Sequence, residues 1–184
     1  MPTDTWQHQL TLASAYVSLL FIVFTLCFGP YKLLTQKRNP VNLMIRRDTG
    51  IWAGLTAIVH VLVGLQIHMG GNIQMYFLDH HGRPLANLFG FSNDLGLAAT
   101  FVIVALLLLS NDLSLRLLRG SRWKWLQRSN YILIALTAAH ALGYQISVQR
   151  QPFMIGIVVA LTLATVATQL TGVLTYLANK AERL

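Results

Sequence analysis

Residues 50–68, GIWAGLTAIVHVLVGLQIH, and residues 130–148, NYILIALTAAHALGYQISV, decide the fold. Each is about as long as a helix must be to cross the hydrocarbon of a bilayer. Each carries a histidine near its middle, His60 in the first and His140 in the second. Three more apolar stretches, roughly 10–28, 95–110 and 153–178, bring the predicted spans to five. The rest of the composition agrees: 54% of residues are hydrophobic, 11% are charged and the mean hydropathy is +0.53. A soluble domain carries about 25% charged residues, and a disordered chain is poor in apolar residues, so both classes are excluded. The expectation is an all-α integral membrane protein, a five-span helical bundle forming one domain over residues 1–184. The single cysteine, Cys27, lies in an apolar run, which leaves neither a disulfide framework nor a thiolate metal site.

The boundaries follow from local chemistry. Gly29-Pro30 predicts the end of the first span. Ser92 and Asp94 are placed to cap the third, and residues 111–119 continue it as an amphipathic turn at the surface. Residues 149–152 predict a tight hairpin between the last two spans. The first span has no basic flank and no small-residue cleavage site, so it reads as an uncleaved anchor. The longest connection, residues 69–93, holds His80, His81, Tyr76, Phe77, Phe89 and Phe91. Its rings suit a cover at the headgroup level.

The formal charge of +8 needs placing before it is interpreted. Lys32, Lys37, Arg38, Arg46 and Arg47 lie between the first two spans, and Arg116, Arg119, Arg122, Lys124 and Arg128 between the third and fourth. With Lys180 and Arg183 after the fifth, twelve of the fourteen basic residues fall on one side; only Arg83 and Arg150 fall on the other. The positive-inside rule then predicts the N-terminus outside and the C-terminus cytoplasmic. The charge is an orientation signal and a surface for anionic lipids, and no nucleic-acid partner is expected. The predicted location is multi-pass, in a bacterial inner membrane or a thylakoid-type membrane.

Of the six histidines, His8, His80 and His81 are expected outside the hydrocarbon, and His68 near the outer end of its span. His60 and His140 are at its centre, where an ionisable side chain points to function. The second and fourth spans run in the same direction. Each histidine lies about ten residues past the cytoplasmic start, roughly 15 Å deep, so the two imidazoles are level. Level imidazoles on facing helices suit the two axial positions of a flat iron macrocycle. Ala53, Thr56, Ala57 and Gly64 share a face with His60, and Thr137 and Gly143 with His140, leaving room for such a guest. The hydroxyls of Thr56 and Thr137 are candidates for setting the imidazole tautomers. Zinc is disfavoured because its sites use three or four protein ligands. Chlorophyll remains as the alternative cofactor, and close helix packing as the alternative use of both the small residues and the histidines. His68, about two turns outward, is a competing ligand for His60.

RRDTGIWAGLTAIVH (Arg46 to His60) and RWKWLQRSNYILIALTAAHALGY (Arg122 to Tyr144) resemble the ferric-reductase-like transmembrane domain over about residues 46–145. Within that family the likeness is strongest to the haem-binding membrane subunits of bacterial periplasmic methionine sulfoxide reductase systems. The resemblance implies histidines on two parallel helices holding two stacked b-type haems, with His60 and His140 as the outer pair. At the inner position the family has Leu-His-Arg, and this chain has Leu126-Gln127-Arg128. The matching place on the second span is near Arg46 and Arg47, again without a histidine. One haem b is therefore expected, with Arg47, Lys124 and Arg128 as topology charges or partners of an anionic group.

The implied function is a b-type cytochrome, a non-catalytic electron-transfer subunit working between a membrane or cytoplasmic donor and an outer-side acceptor. Its partners would be a protein that supplies or accepts electrons, and a quinone. No glycine-rich phosphate loop opens a helix here, so a flavin or nicotinamide domain would belong to another polypeptide. The second reading is a structural or assembly subunit of a larger membrane complex, docking through the small residues Ala164, Thr165, Ala167, Thr168, Thr171 and Gly172. A transporter is disfavoured, because no carboxylate lies within a span to couple ions.

Overall fold

The structure is a computed structural model that describes residues 6–35 and 41–181, without the side chains of Lys32, residues 41–43, His68 and Met69. The expectations resting on Lys37, Arg38, Arg183 and the His68 imidazole lie outside the described residues. Seven α-helices account for nearly all of the described chain: α1 (Trp6–Thr35), α2 (Val41–Ile67), α3 (Leu88–Leu109), α4 (Asp112–Leu117), α5 (Arg119–Gln127), α6 (Asn130–Ser147) and α7 (Pro152–Ala181). Four apolar stretches are long enough to cross a bilayer: α1, Met44–Ile67 within α2, α3 and α7. This is an integral, multi-pass membrane protein. Helix α6 is the shortest of the long helices, at 18 residues, and Asn130, His140 and Gln145 lower its hydropathy.

At the centre of the bundle, α1 packs against α2 and α7 and touches α6. Its buried face carries Leu19, Ile22, Val23 and Leu26 together with Thr11, Ser14, Ser18 and Thr25. Two of these small hydroxyls reach across to α2. Ser18 Oγ donates to the Ala53 carbonyl at 2.9 Å, and Thr25 Oγ1 meets Thr49 Oγ1 at 3.0 Å. Without water to compete, such bonds hold helices where apolar attraction alone gives no preference over lipid. Outward-facing Trp52, Leu55, Leu62, Phe101, Leu108, Leu163, Leu170 and Leu174 are exposed, as a lipid-facing surface requires.

Three boundaries differ from the sequence expectation. Helix α1 does not stop at Gly29-Pro30 but runs through Pro30 to Thr35. Proline removes one helical N–H and leaves the carbonyl four residues earlier, that of Leu26, without its usual donor. Gln169 of α7 supplies the donor, with Nε2 to Leu26 O at 2.7 Å. The ring of Pro30 is admitted by Gly172, where a Cβ would lie 2.8 Å from the proline Cβ. Gln169→Leu should therefore destabilise the bundle by about 1–2 kcal/mol. An unchanged unfolding midpoint in detergent would show that the carbonyl needs no such partner.

Helix α3 begins at Leu88, earlier than expected, and Asn87 caps it by accepting from Gly90 N at 2.8 Å. Ser92 and Asp94 are inside the helix rather than at its cap, and Phe89 and Phe91 belong to its first turn rather than to the loop. The small-residue face of α7 is also divided. Thr165 and Gly172 are buried, whereas Ala164, Ala167 and Thr171 point outward. The hairpin between α6 and α7 forms as expected: Gln149 takes a positive φ of 53°, Arg150 N donates to Gln145 O at 2.9 Å, and Pro152 opens α7. Proline suits that first helical position because its missing N–H would have no partner there.

Beyond α3, α4 starts at the Asn111 cap and α5 is pinned by Trp123 Nε1 donating to Leu109 O at 2.8 Å. Arg47 is tied to Asp112 at 2.7 Å, both side chains exposed. That contact gives Arg47 a structural partner at the surface, away from the bundle interior.

Candidate functional site

Helices α2 and α6 do not pack closely against one another; α3 and α1 stand between them on either side. The gap is a cavity of about 300 Å³. It is lined mostly by apolar side chains, with His60 entering from α2 and His140 from α6. Their ring centroids are 6.5 Å apart, with ring planes at 63°. The structure thus brings together the two residues that the sequence placed at one level.

The Thr56 hydroxyl orients neither imidazole. Thr56 Oγ1 turns back on its own helix, donating to Trp52 O at 2.7 Å and Ala53 O at 3.1 Å, and Thr56 does not line the cavity. Polar side chains in helices commonly bond the preceding turn in this way. Thr137 does line the cavity. The orienting groups are backbone carbonyls from the two flanking helices. His60 Nδ1 lies 2.9 Å from Thr11 O of α1, and His140 Nδ1 lies 2.7 Å from Ser92 O of α3. A carbonyl can only accept, so each Nδ1 carries a proton, and in the neutral ring the lone pair that ligates a metal is then on Nε2. Two imidazoles bound through Nε2 to one metal, at about 2.0–2.1 Å each, hold their centres roughly 6–6.5 Å apart. The observed separation fits that arrangement.

Glycines make the approach possible. At Gly96 a Cβ would lie 2.6 Å from His140 Nδ1, closer than any side chain tolerates. Gly143 does not line the cavity; it lets Ser92 come close, since a Cβ there would meet Ser92 Oγ first. Gly143 therefore acts through the α3 carbonyl that holds His140. Gly64 does line the cavity, beside Thr11. Of the other small residues, Ala57 lines it, whereas Ala53 is packed in the core with Ile22 and Ile103.

The mouth of the cavity beside residues 73–77 is polar and aromatic. Tyr76 is buried and donates to Gly64 O at 2.8 Å, while Asn93 Nδ2 donates to Tyr76 O at 3.1 Å. Burial, with the Tyr144 hydroxyl adding to it, pushes the Tyr76 hydroxyl up to about 12, so it remains a donor at any ordinary pH. Rings follow one another from His140 to Tyr144, Phe89 and Tyr76, with centroids 5.7–6.3 Å apart. From the long connection, Ile73, Tyr76 and Phe77 line this end of the cavity.

Several residues here were missed from the sequence. His8, placed outside the hydrocarbon, and Arg150, counted only for its charge, both line the cavity and meet at 3.0 Å between Nη2 and Nε2. Thr11 Oγ1 and Gln145 Oε1 are buried there without a partner, which marks the cavity as built for more than apolar filling. Among the described residues no three His, Cys, Asp or Glu side chains converge on one point. The donor set is two imidazoles on opposite sides of an apolar slot, which suits an iron macrocycle better than a bare ion.

No protein-family model matches the chain, and no solved structure matches it. Curated proteins do. Over 162 residues the chain is 30% identical to a Brucella ovis protein described as the protein-methionine-sulfoxide reductase heme-binding subunit MsrQ. Proteins of Brucella canis and Brucella suis with the same description match equally. In each case the match covers 88% of this chain and 67% of the relative. At that identity and coverage, the chain belongs to the MsrQ family, whose members are described as heme-binding subunits of protein-methionine-sulfoxide reductase.

Proposed function

We propose that this protein is a b-type membrane cytochrome that holds one haem between His60 and His140. It passes electrons from a membrane or cytoplasmic donor to a protein acceptor on the outer side. The observation that carries the reading is the pair of imidazoles 6.5 Å apart, each with Nδ1 held by a carbonyl of a different helix. Haem held there, with His60 and His140 as its protein ligands, would supply one-electron chemistry. The chain's own contribution is to fix both imidazole tautomers, to exclude water with the aromatic cover, and to surround the slot with apolar side chains.

One haem rather than two is supported by the inner half of the bundle. Ile22, Leu26, Ala53, Ile103, Leu106 and Leu133 form a packed apolar cluster there. Gly54 brings α2 close to Leu107 of α3, leaving 3.2 Å for a Cβ. Gln127 stands where the family pattern would put a second ligand. The haem then sits ten residues, roughly 15 Å, outward of the start of α6.

Helix α6 acts as a fifth span in this reading. At 1.5 Å per residue it is roughly 27 Å long, and His140, Gln145 and Thr137 all line the cavity rather than face lipid. With five spans, the basic residues gather on the cytoplasmic side and Arg150 with the aromatic cover lies outside. The donor is a quinol or a cytoplasmic flavoprotein, and the acceptor is a partner reductase.

Reduced-minus-oxidised spectra of the purified protein, with haem measured per chain, test this. Sharp alpha and Soret bands at one haem per chain are expected. Two haems per chain would refute the filled inner half, and a colourless protein or a chlorophyll-like red band would refute the cytochrome.

A further inference from the structure

We infer that Arg150, seated against His8, is a clamp for a carboxylate of the cavity's ligand at the outer mouth. This rests on the haem reading, in which that carboxylate is a propionate.

The guanidinium is in an unusual position. Arg150 follows the left-handed turn at Gln149, is only partly exposed, and lines the same cavity as His60 and His140. Its Nη2 donates to His8 Nε2 at 3.0 Å. Arginine has only donors, so His8 accepts through Nε2 in this contact. Among the described residues no carboxylate lies within ion-pair distance of Arg150. Asp112 and Asp48 are engaged with Arg47, and Asp79 caps its own turn by accepting from His81 N and Arg83 N. A cation partly withdrawn from water and facing an apolar slot calls for an anion.

Position decides which end of the ligand answers. His8 is one helical turn outward of Thr11, whose carbonyl holds His60, so the Arg150–His8 pair stands just above the imidazoles. A porphyrin carries both carboxylates on one edge. Turned inward, that edge would meet Ile22, Ile103 and Leu133, which line the inner part of the cavity. Turned outward, it meets the guanidinium, with Tyr16 and Gln145 beside it. Burying two carboxylates among aliphatic side chains is prohibitive, so the edge faces the mouth. Arginine also presents paired N–H groups that match a carboxylate. The clamp thereby fixes the ligand's in-plane rotation, which two axial imidazoles alone leave open.

The test is a chemical double-mutant cycle on the full-length protein. Wild type, Arg150→Gln and Arg150→Lys are produced in a haem-starved host and loaded with haem or with its dimethyl ester, which lacks carboxylates. Release to excess apomyoglobin is then timed. Arg150→Gln should release haem about tenfold faster or more, with Arg150→Lys between it and wild type. The ester should leave wild type as fast as haem leaves Arg150→Gln, and should show no further acceleration in Arg150→Gln. Equal haem release from all three proteins overturns the clamp, as does an ester effect of the same size with and without Arg150. The ester arm in wild type requires no substitution, so it decides even where a variant fails to fold. Failure of wild type to give a Soret band with either porphyrin overturns the haem reading itself, whereas bands in every sample with identical kinetics overturn only the clamp.

Discussion

Alanine in place of either His60 or His140 is expected to remove the Soret band, with haem per chain falling at least tenfold in each single variant. In the proposed site each ring would supply one ligand, and the third imidazole lining the slot, His8, meets Arg150 through its Nε2 at 3.0 Å. Helical content should be retained, because neither ring is itself part of the apolar cluster that holds the helices together. His80→Ala and His81→Ala, in the outer connection, are the matched controls and should bind haem as wild type does. Full haem content in both His60→Ala and His140→Ala would end the assignment of these residues as ligands. Loss in only one would show that the other ring serves packing.

Gly96→Ala should lose most of the haem while removing no ligand at all. The added methyl would sit 2.6 Å from Nδ1 and 2.7 Å from Cε1 of His140. Ser92 O holds that nitrogen from the same side. The ring must therefore tilt away, breaking its carbonyl bond and turning Nε2 off the line toward His60. Stability should change by no more than about 1–2 kcal/mol, since alanine is the better helix former by roughly 1 kcal/mol and overpacking costs about 1–3 kcal/mol. The expected signature is a helical, membrane-inserted protein with haem reduced several-fold. Gly156→Ala is the control, because a Cβ there has nothing within 4 Å. An unchanged spectrum in Gly96→Ala would mean that the ring has more freedom than its neighbours indicate.

Four of the spans and the meeting of His60 with His140 were legible in the sequence because hydropathy and helical period are local properties, and depth is simply a count of residues along an axis. Partners across helices were not legible. Any backbone carbonyl can orient an imidazole, so nothing in the letters singles out Thr11 or Ser92. A faint signal does exist: the residue four on from each is small, Ala15 and Gly96, which leaves the carbonyl open to a ring from outside. Thr56 was assigned a role because it lies one turn from His60, but its hydroxyl bonds its own helix. Arg150 was hidden by counting charges per loop, a one-dimensional operation that cannot reveal that a turn folds its side chain inward. The end of α1 was misjudged for a related reason. Pro30 stops a helix only when nothing else satisfies the carbonyl it frees, and Gln169 is far away in sequence.

That distance, 143 residues between Leu26 and Gln169, has a biosynthetic consequence. The ribosome delivers α1 first and α7 last. At about 5–20 residues per second, α1 waits in the bilayer for roughly 7–30 s before its final neighbour is made. Throughout that interval the backbone at Pro30 must make do with water or a distorted turn. A nascent chain stalled short of Gln169 therefore leaves the Leu26 carbonyl without that donor.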